Sequence, residues 1–96
     1  MKINVRIMRG PLNEIIGRSE FTVETENHAR VLDVLNLLTE KHGKPFRDYV
    51  FSPNTGKINS YLIFSINGVN IASLKGIETT ISDNDELLIL SATGGG

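Results

Sequence analysis

Ninety-six residues make one domain with a single core and leave no room for a second lobe. Ten basic and eleven acidic side chains give a net charge of −1 with no basic stripe, which argues against nucleic acid as a direct ligand. The absence of cysteine excludes a disulfide frame, a thiolate metal site and a thiol nucleophile, and suits a reducing compartment.

The first residues alternate polar and apolar instead of forming the apolar core of a signal peptide. No stretch approaches the roughly 20 apolar residues of a membrane span. The expectation is a soluble, cytoplasmic protein. Over residues 2–8, Ile3, Val5 and Ile7 alternate with Lys2, Asn4 and Arg6, the pattern of a half-buried strand. Gly10-Pro11 breaks it, residues 12–16 suit one irregular helical turn, and Phe21 and Val23 share one side of a second strand.

From Arg30 the period changes. Val31, Val34, Leu35 and Leu38 fall at i, i+3, i+4 and i+7, which predicts an amphipathic helix, with Asn27 as its N-cap and Gly43 as its stop. Residues 44–60 carry Pro45, Pro53 and Asn54-Thr55-Gly56 and read as a loop that admits a short helical turn at 45–51 but no regular strand. Residues 61–66 form a third strand with Leu62, Phe64 and Ile66 on one face. Asn67-Gly68 then signals a two-residue hairpin with Val69-Asn70-Ile71 returning.

Asp83-Asn84-Asp85 is a polar turn into the last strand, residues 86–91, where Leu87 and Ile89 lie on one side and Leu88 and Leu90 on the other. The order of elements predicts an α+β domain in two layers, one sheet and one principal helix. A single helix covers only one face of such a sheet. The other face meets solvent or a partner.

Catalytic and metal-binding constellations are missing. His28 and His42 stand at opposite ends of the predicted helix, roughly 20 Å apart at the helical rise, too far to share a metal. Asp83-Asn84-Asp85-Glu86 lacks the glycine and the distal glutamate of a calcium loop. The serines lack a nucleophile-elbow context. No cofactor is implied, and the chain reads as a substrate or binding partner of an enzyme.

The sequence closes on Thr93-Gly94-Gly95-Gly96. Successive glycines have the most conformational entropy to lose, so the expectation is a folded domain over 1–92 and a flexible tail over 93–96. Four such residues extend about 13 Å and fit a channel too narrow for side chains. A terminal carboxylate is an anion at neutral pH and a poor electrophile, so its chemistry requires activation, most simply as an acyl adenylate.

The segment from Ile66-Asn67-Gly68 through Asp83-Asn84-Asp85-Glu86 and Leu87-Leu88-Ile89-Leu90-Ser91 to Gly95-Gly96 resembles the ubiquitin-like β-grasp sulfur carriers. These include the molybdopterin-synthase small subunit, the thiamin-pathway sulfur carrier, the ubiquitin-related modifier and the archaeal ubiquitin-like modifiers. The resemblance implies a mixed four- to five-stranded sheet packed on one helix. It also implies that the terminal pair Gly95 and Gly96 is adenylated by an ATP-dependent activating enzyme. The product is then a thiocarboxylate, handed to an acceptor such as a molybdopterin-synthase large subunit or a tRNA thiolase, or a conjugate with target lysines. Gly94 is an extra small residue where relatives vary, which blurs the choice among branches.

If Leu87 and Ile89 face the helix, Leu88 and Leu90 face outward, with Ile63 as their expected neighbour. An exposed apolar group beside a reactive tail marks a partner surface. Burial of this face under the 44–60 loop is the competing reading. For function, the alternative to a carrier or modifier is a non-catalytic ubiquitin-like interaction module with a passive tail.

Overall fold

The structure, a computed structural model, describes residues 1–8 and 10–91. In chain order its elements are β1 (Lys2–Met8), α1 (Leu12–Ile16), β2 (Glu20–Glu24), α2 (Val31–His42), α3 (Lys44–Val50), β3 (Leu62–Ile66), β4 (Val69–Asn70) and β5 (Glu86–Ser91), with 3-10 turns at Ile71–Ser73 and Gly76–Glu78. Among the described residues the strands form a five-stranded sheet in the order β2-β1-β5-β3-β4. β1 and β5 run parallel and the other neighbours antiparallel.

Alternation along the strands decides the layers. Ile3, Val5 and Ile7 of β1, Leu62, Phe64 and Ile66 of β3, and Leu87 and Ile89 of β5 are buried against Val31, Val34, Leu35 and Leu38 of α2. Each such side chain contributes about 1.5–3 kcal/mol relative to exposure. Leu12 of α1 and Phe46 and Val50 of α3 join the same core. This is the expected α+β β-grasp, a mixed sheet curled over one main helix. Among the described residues no helix is long and apolar enough to cross a membrane.

Two local expectations are corrected. The main helix starts at Val31, not after Asn27, and Arg30 is its N-cap. His28 sits before it with φ of 66°, so residues 27–29 turn instead of coiling. The first turn is held by the Asp33 carboxylate, which accepts the Arg30 backbone N–H at 2.8 Å. The Arg30 side chain spans Asp33 (3.0 Å) and Glu78 (2.7 Å), tying the helix start to the second 3-10 turn. Those two carboxylates hold the Arg30 guanidinium firmly protonated.

The short helical turn expected at 45–51 is α3, a regular seven-residue helix with Pro45 in its first turn; Phe46 and Val50, one turn apart, supply the apolar face. After it, Phe51 and Ile58 form an isolated antiparallel bridge, and among the described residues no regular strand stands between α3 and β3, in line with the expectation. The second correction concerns Ile71, which leaves the return strand because the Asn70 side chain accepts the Ala72 N–H at 2.9 Å and starts a 3-10 turn. Gly43 stops α2 as expected, with φ of 77° and its N–H on the Thr39 carbonyl.

Candidate functional site at the last strand

β5 is the central strand, so both of its edges are occupied and its position is fixed from two sides. Its registers place Leu90 opposite Ile63 and Leu88 opposite Ser65 on β3, and set Leu90 beside Met8 and Leu88 beside Arg6 on β1. Leu87 and Ile89 are 0 % and 1 % exposed, whereas Leu88 and Leu90 are half-buried on the opposite face. Ile63 is 36 % exposed and Met8 43 %. Met8, Ile63 and Leu90 therefore form an apolar group across three strands at the end of β5 nearest the chain terminus, and Leu88 continues it along the strand.

The α3 segment does not bury this group. α3 packs with α1 and α2 on the helix side, and Phe46 and Val50 point into the core. Polar residues flank the group. Arg6 pairs with Glu20 at 3.2 Å across β1 and β2; both ends are largely exposed, so the pair adds little stability. Met8 escaped the sequence reading. The alternation of β1 puts it on the outer face, but its place beside Leu90 depends on a parallel pairing between the two ends of the chain.

The turn residues that carried the family resemblance prove to be structural clamps. Asn67 Nδ2 donates to the Asp85 carboxylate at 2.9 Å, and Asn67 Oδ1 accepts the Glu86 N–H at 2.9 Å. Asp85 also accepts the Ser82 N–H at 2.8 Å, and Asp83 accepts the Lys2 N–H at 2.7 Å. Asn67 and Gly68 have φ of 50° and 88°, the left-handed pair that a tight hairpin needs. The hairpin and the polar turn thus lock the start of β5 to β1 and β3, which aims the strand's other end.

The tail residues Thr93, Gly94, Gly95 and Gly96 lie outside the described residues. Among the described residues no three His, Asp or Glu side chains are grouped to hold a metal ion. His28 and His42 are not two ends of one helix, since only His42 belongs to α2.

Comparison with known proteins bears on both fold and family. The family model described as "ThiS family" matches residues 8–96. The small archaeal modifier protein 1 of Methanosarcina acetivorans is similar at 32 % identity and TM-score 0.79, over 99 % of this chain and 96 % of that one. SAMP1 of Haloferax volcanii matches at 23 % identity and TM-score 0.81, over the full length of both chains. A chain of the Amycolatopsis orientalis BexX/CysO complex matches at 23 % and 0.74, over 98 % of this chain and 99 % of that one; at that identity the likeness concerns the fold. Curated proteins give no match. On a match that takes in β2 through the last glycine and a β-grasp shared over nearly the whole length of a small archaeal modifier, the chain belongs to the ThiS family of sulfur carriers and small modifiers.

Proposed function

We propose that the chain is a protein substrate and carrier whose Gly96 carboxylate is activated by an ATP-dependent adenylating enzyme. The carboxylate oxygen attacks the α-phosphate of ATP and pyrophosphate leaves, giving an acyl adenylate. Hydrosulfide then attacks the acyl carbon and AMP leaves, giving a thiocarboxylate once the S–H proton is lost. When a lysine amine attacks instead, the product is an isopeptide bond. The enzyme supplies charge stabilisation at phosphorus. This chain supplies the nucleophilic end and the surface that brings it in.

The observation that carries the reading is the continuity of the family match from Met8 through Gly96 with β5, the central strand that leads toward the glycines. On this reading residues 1–92 are the folded domain, and Thr93, Gly94, Gly95 and Gly96 are the tail that enters the partner, where side chains would obstruct. Leu88, Leu90 and Ile63, joined by Met8, are the docking surface for the activating enzyme and the sulfur acceptor. Association of a fold relative with a protein partner in the BexX/CysO complex is in keeping with such docking. ATP-dependent activation is in keeping with a cytoplasmic chain.

The test is intact mass after incubation of the full chain with its cognate activating enzyme, ATP and a sulfur donor. Exchange of one oxygen for one sulfur is expected. A terminus that stays unreactive while the enzyme is shown to be active would instead make the chain an interaction module. Pull-down with the terminus intact separates the downstream fates, by whether a pterin-synthase large subunit, a tRNA thiolase or a ladder of lysine-linked conjugates follows.

A further inference from the structure

A second surface lies on the far side of the sheet from β3 and β4. β2 is an edge strand, and no strand pairs with its outer side among the described residues. The ladder to β1 fixes which of its backbone groups are free. The Thr25 N–H donates to the Met1 carbonyl at 2.8 Å and the Ile7 N–H to the Ser19 carbonyl at 2.8 Å. Residues of that parity, including Phe21 and Val23, therefore direct their amides inward to β1. Glu20, Thr22 and Glu24 direct theirs outward.

Beside this open edge runs a trough between β2 and α2. Two cavities of about 420 and 560 Å³ share Glu24, Leu37 and Glu40 and so form one continuous depression. Its floor is apolar: Phe21 and Val23 are only partly buried, and Leu37 is 37 % exposed on α2. Its charge is one-sided. Glu24, Glu26, Asp33 and Glu40 line it, against Lys41 as the single lysine or arginine of the lining. Asp33 is taken by Arg30, but among the described residues no ion pair engages Glu24, Glu26 or Glu40.

We propose that this edge and trough bind an extended, lysine- or arginine-bearing peptide segment of another protein, which adds to the sheet beside β2 as a further strand. Main-chain bonds to Glu20, Thr22 and Glu24 supply the pairing. Alternate side chains face the trough, where Phe21, Val23 and Leu37 accept apolar groups and Glu26 and Glu40 accept a cation on the same face of the added strand, while the intervening side chains point to the other face of the sheet. The five residues of β2 match a segment about 17 Å long. The surface lies on a different strand from Leu88, Leu90 and Ile63 and does not depend on activation of Gly96. A modifier engaged at its reactive end thus still has this edge available to a peptide.

The test uses the full chain, isotope-labelled, titrated with an acetylated and amidated hexapeptide that carries valine, valine and lysine at alternate positions with threonine between them, so that both kinds of side chain face the trough. Saturable amide shifts at Glu20, Thr22, Glu24 and Leu37 are expected, with slowed hydrogen exchange at Thr22. The same peptide N-methylated on the amides that face β2 should bind about tenfold more weakly, since strand addition loses its bonds. Glu40→Lys, an exposed substitution on α2, should weaken binding about tenfold without moving the melting temperature.

Four results would overturn the proposal: shifts confined to Leu88, Leu90 and Ile63, equal binding of the N-methylated peptide, equal binding of the peptide with glutamate in place of its lysine, or no saturation at millimolar peptide. Concentration-dependent protection of Thr22 without any peptide would overturn it as well, because the occupant of the edge would then be a second copy of this chain.

Discussion

Gly10 is packed against Ser91, the last described residue of β5: a Cβ built on Gly10 would lie 3.2 Å from the Ser91 Cβ and 3.3 Å from the Tyr49 hydroxyl. Gly10 also has φ of +89°, a conformation that a residue with a side chain adopts at a cost of about 1–2 kcal/mol. Gly17 has nearly the same φ, +86°, with nothing within 4 Å of its Cβ position. The two glycines separate backbone strain from crowding. Gly17→Ala is expected to lower stability by about 1 kcal/mol. Gly10→Ala is expected to cost about 1 kcal/mol more, because β5 or Tyr49 must give way. Urea unfolding of both variants measures the difference, and equal losses would show that Ser91 and Tyr49 yield freely. Since Ser91 precedes the glycine tail in sequence, activation by the adenylating enzyme should also fall more in Gly10→Ala than in Gly17→Ala.

Much of the fold was legible because it is written in short periods. The alternation of β1, β3 and β5 gave their inner faces, and the spacing Val31, Val34, Leu35, Leu38 gave α2 and its buried side. What failed to show depends on contacts between distant residues. Arg30 is a poor N-cap by type, and only the Asp33 carboxylate and Glu78, 48 positions along the chain, make it the helix start. In α3 the apolar signal is two residues, Phe46 and Val50, enough for a helical turn at 45–51 but too few to give its regular seven-residue length among the prolines and a glycine nearby. Met8 carried the right parity, yet nothing local shows that Leu90 lies beside it. The motif residues Asn67 and Asp85 read as two separate turns, although they hydrogen-bond each other across the hairpin.

The pH dependence of stability should carry a histidine component. Burial pushes the His42 imidazole below its ordinary pKa of 6.5, and the charges of Lys41 and Arg18 push the same way. The ring stands 6.3 Å from that of Phe46, at the end of α2. With the folded value depressed, the unfolded chain binds the proton more readily. This contribution is fully present above 6.5 and is lost as pH falls through the folded value. Asp33, held below its ordinary carboxylate value by the Arg30 side chain and backbone N–H, acts in the same direction, but only in more acid solution. Unfolding free energies of the native chain should therefore fall as pH drops below the ordinary histidine value of 6.5, and His42→Gln should flatten that decline. An unchanged slope in the variant would assign the effect to other groups.

Removal of Gly95 and Gly96 should leave the thermal midpoint almost where it is, because the core is built from residues between Ile3 and Ile89, while abolishing adenylation. A residue appended after Gly96 should block activation as completely, since it occupies the carboxylate. Calorimetry and the intact-mass assay read the two effects independently. A large drop in midpoint on deletion would mean that the glycines pack on the domain, and activity of an untrimmed extended chain would contradict the need for a free glycine carboxylate.

The faces of β5 give the last prediction, because neighbouring residues should respond oppositely to the same charge. Ile89 is 1 % exposed among the residues packed under α2. Ile89→Arg puts a cation there without a counter-ion, a loss of more than about 4 kcal/mol, enough to unfold a domain of ordinary marginal stability. Leu90 is half-buried on the outer face beside Met8 and Ile63, where an arginine extends its charged head into water. Leu90→Arg should therefore fold, with a loss of about 1 kcal/mol from the apolar contacts it gives up. Its cost falls on association, where an unpaired cation desolvated in an apolar contact is expected to weaken capture by the activating enzyme about tenfold or more. Circular dichroism melts on both variants, with partner binding for the folded one, separate these effects. If Leu90→Arg folds and binds as the native chain does, the docking surface lies elsewhere than on Leu88, Leu90 and Ile63, and the activation of Gly96 must be explained through a different face.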